Sequence, residues 1–331
     1  MQASNSKDCK FAILIRKIFM NKQAQDLRIV FLGTPDFAVA SLEALLASGL
    51  QVVAVVTAPD KPAGRGQALQ ESAVKKCALA HQLPILQPEK LKDPQFLQDL
   101  AAYKADLQVV VAFRMLPEVV WDMPTLGTIN VHASLLPNYR GAAPIHWAII
   151  NGEKETGVST FQLKHQIDTG NILLQQKVAI EPTDNLGTMY QKLMKVGADL
   201  LITTIEKLAT NDIQVQEQNL DLPSIHAPKI TKETGKIDWN NTVNTNFNLI
   251  RGLAPIPGAY SFLDGKMFKI LEAEIDTTQP KENEIGTCQT DQKTYLKFAC
   301  KDGWIICKEV QLEGKKRMPI QAFLIGYSFK K

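Results

Sequence analysis

Cysteine is scarce in this 331-residue chain, and its arrangement excludes two kinds of protein. The five cysteines are odd in number and show no CxxC spacing, which argues against a disulfide framework and against a zinc site. Long apolar runs are also missing, because no stretch approaches the roughly 20 residues that a transmembrane helix needs. We therefore expect a reducing, cytoplasmic setting, no membrane association and no bound metal.

Neither basic nor acidic residues are in large excess. The chain carries 37 Lys and Arg against 34 Asp and Glu, a formal charge of +3. Residues 1–26 carry five basic against two acidic residues, and residues 221–331 carry sixteen against thirteen. Basic ends suit a polyanionic partner, but ordinary surface scatter explains the same distribution equally well.

The glycine-rich fingerprints of nucleotide-binding loops are absent from the first predicted βα turn. The apolar run at residues 27–32 ends in "GTPDFA", which contains neither GxGxxG nor GxxxxGK[ST]. A nicotinamide oxidoreductase or a P-loop enzyme is therefore disfavoured.

Short Val- and Ile-rich runs alternate with helical patterns through the first two thirds of the chain, which predicts a mostly parallel sheet covered on both faces. The predicted strands cover residues 27–32, 51–57, 83–86, 107–112, 128–131, 158–163 and 172–180, and a helix follows over 186–208. After residue 211 this alternation stops. Short runs separated by Gly and Asp turns then predict a small, mostly-β module of the barrel type.

The stretch "NVHASLLPNYRGAAPIHW" follows a predicted strand and is the best candidate for a site of chemistry. Asn130 and His132 lie two residues apart, so their side chains share one face of the strand. An amide that stabilises an oxyanion and an imidazole that accepts a proton are what attack on a carbonyl carbon requires. From these residues alone, a His132 that merely caps the strand is equally acceptable, and Asp168 is most simply a turn former.

Four motifs together resemble the folate-dependent formyltransferases: "FLGTPDFA", "APDKPAGRGQ", "SLLPNYRGAAPIHW" and "IDTGNILLQ". They occur in that family's order and spacing, and the resemblance extends over residues 27–326. It implies that the catalytic Asn, His and Asp of the family are Asn130, His132 and Asp168. It also implies contacts to folate from two loops, comprising Phe113, Arg114, Met115, Leu116, Ser134, Leu135, Leu136 and Pro137.

Within that superfamily the chain is most similar to the members that act on methionyl-initiator tRNA with 10-formyltetrahydrofolate as formyl donor. The "DKPAGRGQ" loop resembles the loop that enters the acceptor arm, with Arg65 as its key residue and Lys61 beside it. The C-terminal part resembles the OB-like domain of those enzymes. Its predicted tRNA-binding residues are Lys229, Lys232, Lys315, Lys316 and Arg317.

These resemblances imply a Rossmann-like, doubly wound α/β domain followed by a small OB-like β-barrel domain. The expected boundaries are an N-terminal extension (1–26), a formyltransferase domain (27–212), a linker (213–226) and a C-terminal tRNA-binding domain (227–331). Residues 1–26 are expected to be dispensable or to reflect a mis-assigned start, with Met20 as the true one. We expect a monomer.

Two rival functions remain open. One is a related formyltransferase or formyl-folate hydrolase with a small-molecule acceptor, and the other is a non-catalytic RNA-binding protein. The chain also departs from the family pattern at two positions, because Asn171 replaces the usual last Asp of DTGD and Glu71 stands where lysine is commoner.

Overall fold

A computed structural model describes residues 23–63 and 68–329 of the chain. Most of the predicted N-terminal extension and Arg65 of the predicted tRNA loop therefore lie outside the described residues. The chain divides into two compact units, and neither is continuous in sequence. The first contains the residues up to Arg140 together with Gly157–Val178 and Gln191–Ile225, and the second contains Gly141–Thr156, Ala179–Tyr190 and the residues from His226 onward. The boundaries expected at 212 and 226 stay predictions.

Among the described residues, seven strands form one sheet in the order β5-β2-β1-β6-β7-β8-β9. These strands are β1 (Arg28–Gly33), β2 (Gln51–Val56), β5 (Ile85–Leu86), β6 (Leu107–Val111), β7 (Thr128–His132), β8 (Glu155–Gln162) and β9 (Ile172–Ala179). The first five pair in parallel, and β8 pairs with β7 in the antiparallel direction. Between β2 and β5, a short hairpin consists of β3 (Lys61–Ala63) and β4 (Ala68–Gln70).

Helices connect these strands, as the alternating pattern predicts. They are α1 (Asp36–Ala47), α2 (Ala73–Ala80), α3 (Pro94–Ala102), α4 (Glu118–Trp121), α5 (Pro144–Ile150) and α6 (Leu186–Ala209). Local sequence sets several of their starts. Ser72 caps α2 by accepting from the Lys75 amide, and Asp93 caps α3, which has proline at its first position.

The central strands are mostly apolar because both faces of the sheet are covered. In β1, for example, every residue after Arg28 is buried. Val30 and Leu32 share one core cluster with Val110 of β6 and Phe96 of α3. This core fixes the sheet edge at which the strands end and their loops begin.

The second unit contains an antiparallel sheet in the order β10-β11-β14-β13-β12, with β15 paired to β14. Its elements are α7 (Val243–Leu253), β10 (Ala259–Leu263), β11 (Lys266–Asp276), β12 (Cys288–Thr290), β13 (Leu296–Ala299), β14 (Trp304–Leu312), β15 (Met318–Pro319) and α8 (Ile320–Ile325). One apolar cluster joins the sheet to both helices, including Phe268, Ile250 and Phe323. The prediction of a Rossmann-like α/β fold followed by a small OB-like β domain is confirmed, and the latter sheet is a half-barrel.

Candidate active site

Strand β7 carries Asn130 and His132 at the end where its loop begins. Asn130 is half-buried and lies opposite Val110 of β6 and Phe161 of β8, whereas His132 is the last residue of the strand and is buried. The strand thus extends one residue beyond its predicted end. Since side chains alternate along a strand, the amide and the imidazole project from the same face of the sheet.

The contacts of His132 determine where its ring proton lies. Its Nε2 is 2.9 Å from the carbonyl oxygen of Tyr139, and a carbonyl oxygen can only accept a hydrogen bond. Nε2 is therefore protonated, and Nδ1 keeps its lone pair in the neutral ring. Phe161 packs edge-on against the imidazole, with 6.3 Å between the ring centroids.

Asp168 lies on the Nδ1 side of the same imidazole. Its Oδ2 is 3.9 Å from Nδ1, and the two side chains are only 9% (His132) and 10% (Asp168) exposed. That separation exceeds a hydrogen bond, and both atoms are acceptors when the ring is neutral. The pair is thus arranged to face one shared proton donor, such as an amine or a water molecule.

The turn that presents Asp168 depends on glycine at position 170. A Cβ added to Gly170 would lie 1.5 Å from the carbonyl oxygen of Gln162, so only glycine permits this approach of the turn to β8. Asp168 itself has a φ of 54°, in the left-handed region. Asn171, which departs from the family pattern, accepts a hydrogen bond from Lys164 Nζ at 2.8 Å through its side-chain oxygen.

The loop after β7, residues 134–137, is held by buried hydroxyls. Ser159 Oγ of β8 donates to the carbonyl of Ser134 at 2.6 Å and accepts from the amide of Leu136 at 3.0 Å. The Ser134 hydroxyl donates to the carbonyl of Asn138 at 2.7 Å. The side chain of Leu136 is buried in a cluster with Phe161, while Leu135 and Pro137 are half-buried. The predicted folate segment is therefore rigidly attached to the sheet.

In the other predicted folate loop, residues 113–116, three side chains are held against the protein and the fourth is exposed. Leu116 is buried in the sheet core, against which the half-buried Phe113 also packs. Arg114 turns back and donates to the carbonyls of Glu89 and Pro88, with its guanidinium 5.7 Å from the Phe113 ring centroid. Met115 is 72% exposed.

The predicted tRNA loop of the first unit is described only at its base. Lys61 is exposed on β3, and Arg65 lies outside the described residues. Lys75 forms ion pairs with Asp60 and Glu71, and hydrogen bonds from Lys75 and Gln87 lower the pKa of Asp60. The hairpin is therefore anchored at its base to α2, and Glu71 belongs to that anchor.

The basic residues predicted to bind tRNA in the second unit are all exposed: Lys229, Lys232, Lys315, Lys316 and Arg317. Arg317 makes a bidentate ion pair with Glu309, at 2.8 and 2.9 Å. Lys232 and Lys269 line a concavity of about 400 Å³ together with Tyr260. Part of this predicted surface is thus already paired within the protein, while the lysines remain at the surface.

Three residues at this site escaped prediction from the sequence. Tyr139 and Arg140 lie within the quoted motif, but nothing in it shows that a backbone carbonyl orients His132. Gln218 lies in a polar segment without periodicity, and its side chain donates to the carbonyls of Asp168 and Gly170. No signal within the single sequence marks it.

The described part of the chain contains neither a metal-binding cluster nor a membrane-spanning helix. No group of three or more His, Cys, Asp or Glu residues there is placed to hold a metal ion. No helix within residues 23–329 as described is long and apolar enough to span a bilayer.

Comparison with known proteins assigns the chain to a family. Residues 27–205 match the formyl transferase family, and residues 229–328 match the formyl transferase C-terminal domain. The methionyl-tRNA formyltransferase of Azobacteroides pseudotrichonymphae is 52% identical over 316 residues, which cover 92% of this chain and 98% of that protein. That of Bacteroides fragilis is 50% identical, covering 92% of this chain and 96% of the relative. The chain belongs to the formyl transferase family and, within it, to the methionyl-tRNA formyltransferases.

Solved structures share the fold at much lower identity. WlaRD, a sugar 3N-formyl transferase, is 21% identical with a TM-score of 0.64, covering 88% of this chain and 99% of WlaRD. HypX from Aquifex aeolicus is 18% identical with a TM-score of 0.62, and the match spans 91% of this chain but only 47% of HypX. These likenesses establish the fold alone.

Proposed function

We propose that this chain transfers the formyl group of 10-formyltetrahydrofolate to the amino group of methionyl-initiator tRNA. The observation that carries the proposal is the arrangement of His132, whose Nε2 is held by the Tyr139 carbonyl while Nδ1 faces Asp168. That arrangement suits acyl transfer to an amine, and the relatives named above support the acceptor.

In this proposal the three polar side chains have separate tasks. The amide of Asn130 donates to the formyl oxygen as negative charge develops there, a contribution of about 3–4 kcal/mol in comparable sites. His132 accepts the proton of the attacking amine at Nδ1 and returns it to N10 of the folate as the formyl C–N10 bond breaks and tetrahydrofolate leaves, which is worth roughly 10²–10⁴-fold in rate. Asp168 orients that amine and stabilises the imidazolium that results.

The residues around this trio fit a folate. 10-Formyltetrahydrofolate supplies the formyl group, and two loops at the strand ends of the protein offer a surface on which the folate can lie. Met115 offers an exposed apolar side chain on the loop after β6, next to the strand that carries Asn130. The rigid loop that contains Leu135 and Pro137 follows β7 directly. We propose that these two loops hold the folate.

We further propose that Lys61 and Arg65 contact the acceptor arm of the tRNA, and that Lys229, Lys232, Lys315, Lys316 and Arg317 contact its phosphates. Because phosphate contacts release counterions, tRNA affinity should weaken steeply as the salt concentration rises. We also propose that the enzyme is a cytoplasmic monomer without membrane association. The four cysteines in the described part of the chain are unpaired, which suits a reducing compartment.

The proposal is tested with purified protein, 10-formyltetrahydrofolate and three acceptors: methionyl-initiator tRNA, methionyl-elongator tRNA and free methionine. We expect formylation of the initiator tRNA only, with a KM for tRNA that rises with salt and rises further in Arg65→Ala. If formyl-folate turns over without any tRNA being formylated, a small-molecule acceptor or hydrolysis replaces the proposed acceptor. If neither substrate reacts, the assignment of Asn130, His132 and Asp168 is wrong.

A further inference from the structure

The side chain of Gln218 is buried beside the candidate active site and uses its full hydrogen-bonding capacity. It is only 5% exposed. Its Nε2 donates to the carbonyl of Asp168 at 2.9 Å and to the carbonyl of Gly170 at 2.7 Å. Its Oε1 accepts from Nε and Nη2 of Arg140, at 3.1 and 2.6 Å. One amide therefore joins the Asp168 turn to the loop that follows β7.

The two segments that Gln218 joins are the ones that hold His132 on either side. Arg140 directly follows Tyr139, whose carbonyl accepts the hydrogen bond from the Nε2–H group of His132. Asp168 faces Nδ1 of the same ring. A displacement of either segment would change the position or the orientation of the imidazole relative to the carboxylate.

Both segments also have backbone conformations that need external support. Tyr139 has a φ of 60° and Asp168 a φ of 54°, in the left-handed region that residues other than glycine rarely adopt. The polypeptide segment that carries Gln218 supports the first of them directly, because the amide of Tyr139 donates to the carbonyl of Ile225 at 2.6 Å.

Charge reinforces this geometry. Burial lowers the pKa of the Arg140 guanidinium from its ordinary value, and the negative charge of Asp168 opposes that change. A buried cation is thus held beside the Asp168 turn by a neutral amide, whose oxygen accepts from two of the guanidinium donors in place of water.

We propose that Gln218 is a positioning residue for the formyl transfer put forward above: it fixes the Asp168 turn and the Tyr139–Arg140 segment around His132. The inference rests on that proposed function for its kinetic readout. It predicts that loss of the amide lowers kcat and leaves the KM values for tRNA and folate nearly unchanged, since the Gln218 side chain is buried and forms all its hydrogen bonds within the protein.

Three variants test the proposal. Gln218→Met keeps the length of the side chain without its hydrogen bonds, and Gln218→Glu keeps an acceptor for Arg140 but removes the donor to Asp168. Gln279→Met is the matched control, because Gln279 donates to the carbonyl of Lys301 at 3.0 Å in the second unit. Each Gln218 variant should lower kcat about 10- to 100-fold, as a misplacement of about 1 Å can do, and the control should match the wild type.

A double-mutant cycle separates positioning from general damage. Asp168→Ala removes the carboxylate but keeps the backbone carbonyl to which Gln218 donates. In that background we expect Gln218→Met to lower kcat by a clearly smaller factor than in the wild type, because only the Tyr139–Arg140 segment remains to be positioned against His132. An equal fold-loss in both backgrounds, or an undiminished kcat in the single variant, would refute the proposal.

A structural readout keeps the test independent of the substrate. In a crystal structure of Gln218→Glu or Gln218→Met, Asp168 should move away from His132 while the β-sheet stays in place. If the wild type does not formylate methionyl-tRNA, the proposed function fails, and this distance still decides the role of Gln218. An unmoved Asp168 overturns it.

Discussion

At the scale of single residues, the carbonyl of Tyr139 determines which nitrogen of His132 is available for chemistry. Because that carbonyl can only accept, it places the proton of the neutral ring on Nε2 and turns the basic Nδ1 toward Asp168. The base is thus oriented by a backbone atom on one side and faces a carboxylate on the other. This tautomer allows two effects to be tested separately: loss of the base at Nδ1 and loss of the hydrogen bond from Nε2. A simple truncation of His132 would remove both at once.

The variant His132→Gln should retain the fold and lose the chemistry. Glutamine places a donor near the position of Nε2, so the bond to Tyr139 can persist, but it has no basic nitrogen at the position of Nδ1. We expect kcat to fall roughly 10²–10⁴-fold, with the urea unfolding midpoint close to that of the wild type. In His132→Ala the Tyr139 carbonyl also loses its buried partner, which should cost about 1–3 kcal/mol in the free energy of unfolding. Equal stability of the two variants would contradict the assigned tautomer.

Gly170 gives a second prediction at this scale. An added methyl group would collide with the backbone of β8, which cannot move cheaply, so Gly170→Ala should displace the turn that carries Asp168. We expect a loss of about 1–3 kcal/mol in the free energy of unfolding together with a marked loss of kcat. Gly326→Ala is the control, because a Cβ there meets nothing within 4 Å and φ is negative. A Gly170→Ala enzyme with wild-type kcat would show that the turn tolerates displacement.

At the scale of elements, the loop at residues 113–116 combines a buried anchor with an exposed apolar side chain. Leu116→Ala removes a core side chain that is 8% exposed and should destabilise the protein by about 2–5 kcal/mol. Met115→Ala removes a side chain that is 72% exposed, so stability should hardly change while the KM for 10-formyltetrahydrofolate rises. Chemical denaturation and steady-state kinetics on both variants check this. The assignment of the loop to folate fails if Met115→Ala leaves that KM unaltered.

The elements themselves were predictable because their signals are local. Runs such as residues 107–112 are apolar apart from Gln108, which is typical of a strand buried on both faces, and the observed β6 covers Leu107–Val111. The likeness of four motifs also allowed Asn130, His132 and Asp168 to be predicted as one site, and the structure places His132 and Asp168 together.

The parts that could not be predicted depend on backbone atoms and on distant contacts. Gln218 reaches the carbonyl of Asp168 across 50 positions in the chain, and no periodicity marks such a bond. Arg114 reads as a free cation in the sequence, but its guanidinium is occupied by two backbone carbonyls. A single sequence shows which side chains are present, and it does not show which carbonyl oxygens need them.

At the scale of the whole molecule, the two compact units are interleaved in sequence, and this limits where the chain can be cut. The segments Gly141–Thr156 and Ala179–Tyr190 belong to the second unit although they precede residue 226. Helix α7 contacts both of these segments. An added Cβ at Gly252 would lie 2.7 Å from Ile150, and Arg251 donates to the carbonyls of Glu181 and Asp184.

A fragment that ends at residue 226 should therefore not behave as an independent domain. It would keep α5 but lose α7, against which Ile150 packs, so apolar surface and the backbone carbonyls of Glu181 and Asp184 would be exposed together. We expect low soluble yield, binding of a hydrophobic dye and no cooperative thermal transition, with a chain that starts at residue 23 and continues to residue 331 as the well-folded control. If the fragment instead unfolds cooperatively near the melting temperature of that control, the second unit contributes little to the first 226 residues, and the boundary predicted from the sequence is a true domain boundary.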